Sequence, residues 1–333
     1  MITRTLVSNK AISSCERVRR AVLFEGPDRV PCDLPPAHGS DFVRMGVGPA
    51  PSFALSAKNA PRWEDEWGCV WEKAEHDQTM GRITRHPLED YGLLPDYKFP
   101  ALLQASRYKP ALNPENKFAL ATLPVYLLQT VEDLRGPENA WTDPVLYPEE
   151  LERLLDQLAD MLAAMVDRFA DLGAHGIFMF DDWGLQDRLM LAPDVFRRFW
   201  KPRYARVFAR AHARNLLTFM HSCGYIVDVL DDLIEVGLNV IQMDQQANMG
   251  LKNLGRRFGG RLCFWCPVDI QAVMPVASLP EIRAYARELI DTLGGFNGGF
   301  IAKWYPAPAA VGHTPEQIQA MCEEFIVYGG VTR

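Results

Sequence analysis

The chain has 333 residues, 48% of them hydrophobic, and a formal net charge of −7. That is enough apolar material for one large core, and the scattered Lys and Arg residues show no nucleic-acid footprint. No apolar run is long enough to span a bilayer, and Met1–Arg20 has no apolar stretch of the secretory kind, so a soluble cytoplasmic protein is expected. Seven cysteines, odd in number and widely spaced, argue against a disulfide framework and for a reducing compartment.

In chain order, the first strand candidates are Arg29–Leu34 and Lys117–Leu123. Between them, residues 61–116 are rich in Trp, Pro and charge. Trp67–Trp71 and Gly81–Thr84 are expected to form a β-hairpin inserted over the rest of the fold, with Trp63, Trp67 and Trp71 as anchors or as a lid. From Tyr147 the pattern is regular. Leu151, Leu154, Leu155, Leu158, Leu162, Met165, Val166 and Phe169 recur at helical spacing, and Gly173 closes the helix. Gly176–Phe180 is a strand, Pro193 to about Asn215 a helix, and Leu217–Met220 a strand leading into His221-Ser222-Cys223-Gly224. Val240–Asp244, Leu262–Cys266 and Gly299–Trp304 follow as strands, with a helix near 279–293 before the last of them. Thr314 caps the final helix, with Pro315 in its first turn and Gln317 three residues after the cap.

Short apolar runs alternating with helices predict parallel strands with crossover helices: an α/β fold, read as a (β/α)8 TIM barrel with one strand unplaced and with the whole of 1–333 as a single domain. An open, doubly wound sheet has the same alternation and stays open as the alternative. No internal repeat or low-complexity linker divides the chain.

Polar residues end five successive strands: Asp181 and Asp182, His221 and Cys223, Asp244, Cys266 with Asp269, and Lys303. In a barrel those ends converge on the face that carries the active site. His221 and Cys223 are two apart on a strand and therefore share a side, and imidazole with thiolate is a pairing that suits zinc. The candidate metal ligands are His221, Cys223, Asp244 and Cys266; Asp181, Asp182 and Lys303 are the candidate catalytic residues. Plainer roles stand beside these. His221 and Cys223 can simply be packed, Asp181 and Asp182 can cap the following helix, and Lys303 can be a solvated strand end. Cys322 belongs on the apolar face of the last helix; Cys15, Cys32 and Cys69 read as packing residues; His313 belongs to the last helix's entry. Cys263 should point opposite to Cys266.

Three segments then become specific together: Asp181-Asp182-Trp183-Gly184-Leu185-Gln186, Phe196-Arg197-Arg198-Phe199-Trp200-Lys201-Pro202-Arg203-Tyr204, and His221-Ser222-Cys223-Gly224. With Arg17–Ala21, Pro27–Pro31 and Thr314-Pro315-Glu316, they resemble the uroporphyrinogen decarboxylase superfamily, and within it the cobalamin (corrinoid)-dependent methyltransferase branch. That resemblance implies a zinc site with two ligands from the His-x-Cys motif, an acidic residue on the next strand (here Asp244) and a later cysteine. It also implies a corrinoid carried by a partner protein, with a small methyl donor or thiol acceptor as substrate. The branch's late Gly-Cys-Gly segment reads Tyr305–Ala310 here, without cysteine, and Cys266 is taken in its place. The arginine-rich motif with which the decarboxylase branch grips its substrate is replaced by Asp33–Ser40, which has no arginine pair, and this counts against a polycarboxylate tetrapyrrole. The direction of methyl transfer stays open, with a lean to demethylation of a small methylated compound, and so does a homodimer. A decarboxylase or other lyase on a small carboxylate, and a barrel that only binds a ligand, are the rival functions.

Overall fold

The computed structural model describes residues 12–49, 61–74, 81–113 and 115–330. Its strands are β1 (Cys32–Asp33), β2 (Phe42–Met45), β3 (Arg62–Glu64), β4 (Val70–Glu72), β5 (Arg82–Arg85), β6 (Phe118–Thr122), β7 (Gly176–Phe180), β8 (Leu217–His221), β9 (Val240–Gln242), β10 (Cys263–Cys266) and β11 (Phe300–Lys303). The main helices are α1 (Ser14–Val22), α2 (Gln129–Arg135), α3 (Pro137–Leu146), α4 (Pro148–Asp171), α5 (Pro193–Val195), α6 (Lys201–Ala213), α7 (Val227–Glu235), α8 (Leu251–Phe258), α9 (Leu279–Leu293) and α10 (Pro315–Gly329).

Eight parallel strands run in the order β1-β11-β10-β9-β8-β7-β6-β2 and curl into a (β/α)8 barrel. The open, doubly wound alternative is set aside because β1 and β2, at the two ends of this order, meet through Asp41. Its backbone N–H donates to Cys32 O at 2.7 Å, and its carboxylate accepts from Cys32 N at 2.8 Å. Arg17 and Ser14 from α1, and Arg29, bind the same carboxylate. A side chain thus does at this seam what a ladder does elsewhere. The unplaced strand of the sequence is β2, four residues with Arg44 among them, too short and too charged to read as buried.

Alternation sorts the strands into two faces. Phe42, Phe118, Leu120, Phe178, Phe219, Val240, Cys263, Trp265 and Ile301 fill the barrel interior, so it is a packed core rather than a pore. The intervening residues face the helices, among them Ile177, Met179, Met220, Ile241, Phe264 and Cys266. The stripe expected on α4 is fully buried there. Thr314 and Gln317 form the expected capping box on α10.

Two expectations change. The helix foreseen from Pro193 to Asn215 is broken by a wider turn over Phe196–Trp200. Pro202 has no N–H for the Arg198 carbonyl, and Lys201 N instead donates to Phe196 O, five residues back. The inserted hairpin is a three-stranded antiparallel sheet, β3-β4-β5, in which the Trp63 and Trp71 rings stack at 6.1 Å. Among the described residues, no helix is long and apolar enough to cross a membrane.

Candidate metal centre

The next inward-facing layer above the aromatic core is polar, because alternation that places Phe219 and Val240 inside also places His221 and Gln242 inside, two residues further on. These two lie side by side in register on β8 and β9. The amide of Gln242 is oriented by its neighbours: its Nε2 donates to Asp244 Oδ1 at 2.8 Å, so its Oε1 faces His221 Nδ1 and accepts that proton. Lys303 Nζ donates to the same Asp244 oxygen at 2.9 Å. The relay Lys303–Asp244–Gln242–His221 leaves His221 Nε2 pointing the other way, toward Cys223 Sγ at 3.2 Å and Asp182 Oδ1 at 3.3 Å.

These three donors are brought together by two loops in backbone contact. Gly184 N donates to Cys223 O and Tyr225 N to Leu185 O. Gly224 lies at φ +73°, and a Cβ there would sit 2.2 Å from Gly184 O, so only glycine permits the approach. Cys223 N then donates to Asp182 Oδ1 at 2.9 Å. Beneath, Trp183 is wholly buried against Phe196 and Trp200 and donates to Tyr204, which anchors the Asp182 loop.

His221 Nε2, Cys223 Sγ and a carboxylate oxygen of Asp182 all lie within 4.8 Å of one another, the one such group among the described residues. Two bonds of roughly 2.0–2.3 Å at a tetrahedral angle separate their donor atoms by about 3.3–3.6 Å, so the observed spacings suit zinc. The electrostatics agree. Burial disfavours the imidazolium, but hydrogen bonds with Asp182 and Cys223 push His221 up to about 10. Burial likewise opposes the Asp182 carboxylate, yet His221 and Cys223 hold it below its usual range. The site favours positive charge at the point where the three donors meet.

The other candidates fall elsewhere. Asp244 is 4% exposed and engaged by Gln242 and Lys303, behind the imidazole rather than beside its free nitrogen. Cys266 faces the helix layer, its thiol pushed up by burial, while Cys263, as expected, points the opposite way into the barrel. Asp181 is buried and caps not the helix that follows it but α2, accepting from Leu127 N, Leu128 N and Gln129 N at 2.8–3.0 Å and from Tyr204 Oη at 2.6 Å. Burial pushes its carboxyl up to about 7 against these hydrogen bonds. Asp269 caps the backbone at Ala247, Gln271 and Ala272. His313, at the last helix's entry, binds the Ile270 carbonyl.

Gln242 was legible as an inward strand position but carried no motif. Arg44 was equally unmarked; it reaches Asp33 at the mouth and lies 4.9 Å from the Trp265 ring. A cavity of about 670 Å³ opens beside the triad, with Phe180, Asp182 and His221 at its floor, Tyr126 and α2 on one wall, and Trp71 and Ile83 of the inserted sheet on the other.

A (β/α)8 barrel with an imidazole, a thiol and a carboxylate converging at its C-terminal mouth is the class of protein that fold and site define. The family model for uroporphyrinogen decarboxylase matches residues 119–325, and the chain belongs to that family. It is similar to the uroporphyrinogen decarboxylases of Magnetococcus marinus and Paraburkholderia phytofirmans, 28% identical to each over 158 residues, or 45% of this chain. The matches span about two fifths of the length of those relatives (41% and 40%). In fold it is similar to a methyltransferase from Methanosarcina mazei, with a TM-score of 0.67 at 18% identity over 95% of this chain and 99% of that one.

Proposed function

We propose that the protein is a zinc-dependent methyltransferase that moves a methyl group between a small methylated substrate, or a thiol acceptor, and a corrinoid carried by a partner protein. The observation that carries this reading is the convergence of His221 Nε2, Cys223 Sγ and Asp182 Oδ1 beside a cavity of about 670 Å³. Zinc at these donors would supply Lewis acidity, lowering the pKa of a bound thiol or easing departure of the heteroatom that carries the methyl. Family membership and the likeness to the Methanosarcina mazei methyltransferase support it.

The chain's own groups do the rest. Gln242 keeps the proton of His221 on Nδ1, so that Nε2 is the ligand atom. The second imidazole proton would be displaced on metal binding there, so affinity would rise with pH until that proton is gone. Phe180 packs 5.5 Å from the His221 ring, and Trp71 and Tyr126 line the cavity beside it. A corrinoid protein would dock over the open mouth.

Metal analysis of protein purified without added zinc, followed by methyl transfer to and from a free cobalamin, tests this. Metal in His221→Ala and Cys223→Ala equal to wild type would refute it. A metal-free decarboxylase acting on a small carboxylate is the second reading, favoured by the guanidinium of Arg44 at the mouth. Activity indifferent to chelators would select it.

A further inference from the structure

The α2 wall of the cavity carries an imbalance of charge. Glu132 and Asp133 both line it. Glu132 is 7% exposed; its Oε1 accepts from Trp141 Nε1 at 2.6 Å, and neither it nor Asp133 forms an ion pair among the described residues. Asp133 accepts from Gln129 Nε2, one helical turn away, at 3.2 Å. A buried carboxylate without a cation is costly and is retained where a ligand supplies the charge. Burial raises both groups, Asp133 to about 6, as expected of anions lacking counter-charge. His86 also lines the cavity and, among the described residues, forms no ion pair with either carboxylate. Its Nδ1 lies 2.7 Å from the Asp133 carbonyl oxygen and donates to it, so this contact is to the backbone and not to either carboxylate. Arg82 lies on the exposed rim, where solvent screens it. Trp71 and Tyr126 also line the cavity, and aromatic rings favour a cation over an anion.

We propose that this cavity selects a substrate bearing an ammonium group, held by Glu132 and Asp133, with its methyl-bearing or thiol end directed to His221, Cys223 and Asp182. The cavity's volume, about 670 Å³, suits a small molecule long enough to reach both. The assignment of the reacting end rests on the methyltransferase reading; the ammonium contact stands on the α2 wall alone.

The test is calorimetric titration of the metal-loaded protein near pH 7.5 with three probes of similar size: 2-methoxyethylamine, 2-methoxyethanol and methoxyacetate. The amine should bind about 10-fold or more tightly than the alcohol, since a charge-assisted contact is worth at least that, with the carboxylate weakest. Glu132→Gln and Asp133→Asn, checked by circular dichroism, should each remove most of that preference while leaving alcohol binding and zinc content unchanged. If Glu132→Gln does not fold, Asp133→Asn decides. Equal binding of amine and alcohol by the wild type, or a preference surviving in Asp133→Asn, overturns the proposal. Metal content is read on the same samples. Zinc present without amine preference sinks this inference alone, whereas amine preference without zinc sinks the methyltransferase reading and leaves the ammonium site standing.

Discussion

Gln242→Leu isolates the relay behind the candidate metal centre. Gln242 is 2% exposed, and leucine matches its bulk closely enough for the cavity cost to stay small. The substitution removes the acceptor for His221 Nδ1 and the donor to Asp244 Oδ1. A buried N–H left without a partner costs about 1–3 kcal/mol. Losing an outer-shell hydrogen bond of this kind lowers metal affinity about 10–100-fold, equivalent to about 1.4–2.8 kcal/mol. Competition against a chromophoric chelator at neutral pH measures that loss, with His221→Ala as the reference for a missing ligand. Gln242→Glu should recover much of the affinity, because a carboxylate still accepts from Nδ1, though it repels Asp244. Wild-type affinity in a folded Gln242→Leu protein would show that the imidazole is positioned by something else.

Cys266→Ser should leave zinc content unchanged and lower thermal stability, whereas Cys223→Ser should lower zinc affinity by about 10-fold or more, at least as much as an outer-shell loss; equal metal loss in both would restore Cys266 to the ligand set. Gly224→Ala should weaken metal binding by driving apart the loops that carry Asp182 and Cys223, measured by the same chelator competition. Chelation should leave far-UV circular dichroism nearly intact, since the donors stand on a barrel with its own core; global unfolding would mark the site as structural. In metal-free protein, His221 has a folded pKa raised to about 10, so its stabilising contribution is full below about 6.5 and declines as pH rises toward 10. A Tm profile over that range should flatten in His221→Asn. Asp41 is the opposite case: burial works to raise it, but Ser14, Cys32 N and Arg29 hold it low, so its contribution is present above about 3.9 and lost as pH falls further. Asp41→Asn should therefore blunt acid unfolding.

The amino-acid sequence by itself determined most of the scaffold and the heart of the site. The stripe on α4, the cap on α10 and the strands Gly176–Phe180 and Cys263–Cys266 are local patterns, and period alone reveals them. His221 was legible as a strand end and Cys223 as its near neighbour, but β8 stops at His221, so Cys223 is held beside it by its loop and not by strand alternation. Closure of the barrel was decided by tertiary structure, because it depends on Asp41, a surface-type residue whose partners lie 9 to 27 positions away. So was the third donor. Asp182 reaches the pair through a glycine-to-glycine contact between loops, while Asp244, equally acidic and equally at a strand end, is turned to Lys303. Cys266 was misplaced for a simpler reason. Two residues on one strand share a face only at even separation, and Cys266 lies one residue beyond the inward-facing Trp265, so the register that puts Trp265 and Cys263 inside the barrel sends the Cys266 sulfur out toward the helices. Which parity faces inward is set by strand pairing around the whole barrel, and no single strand carries that information.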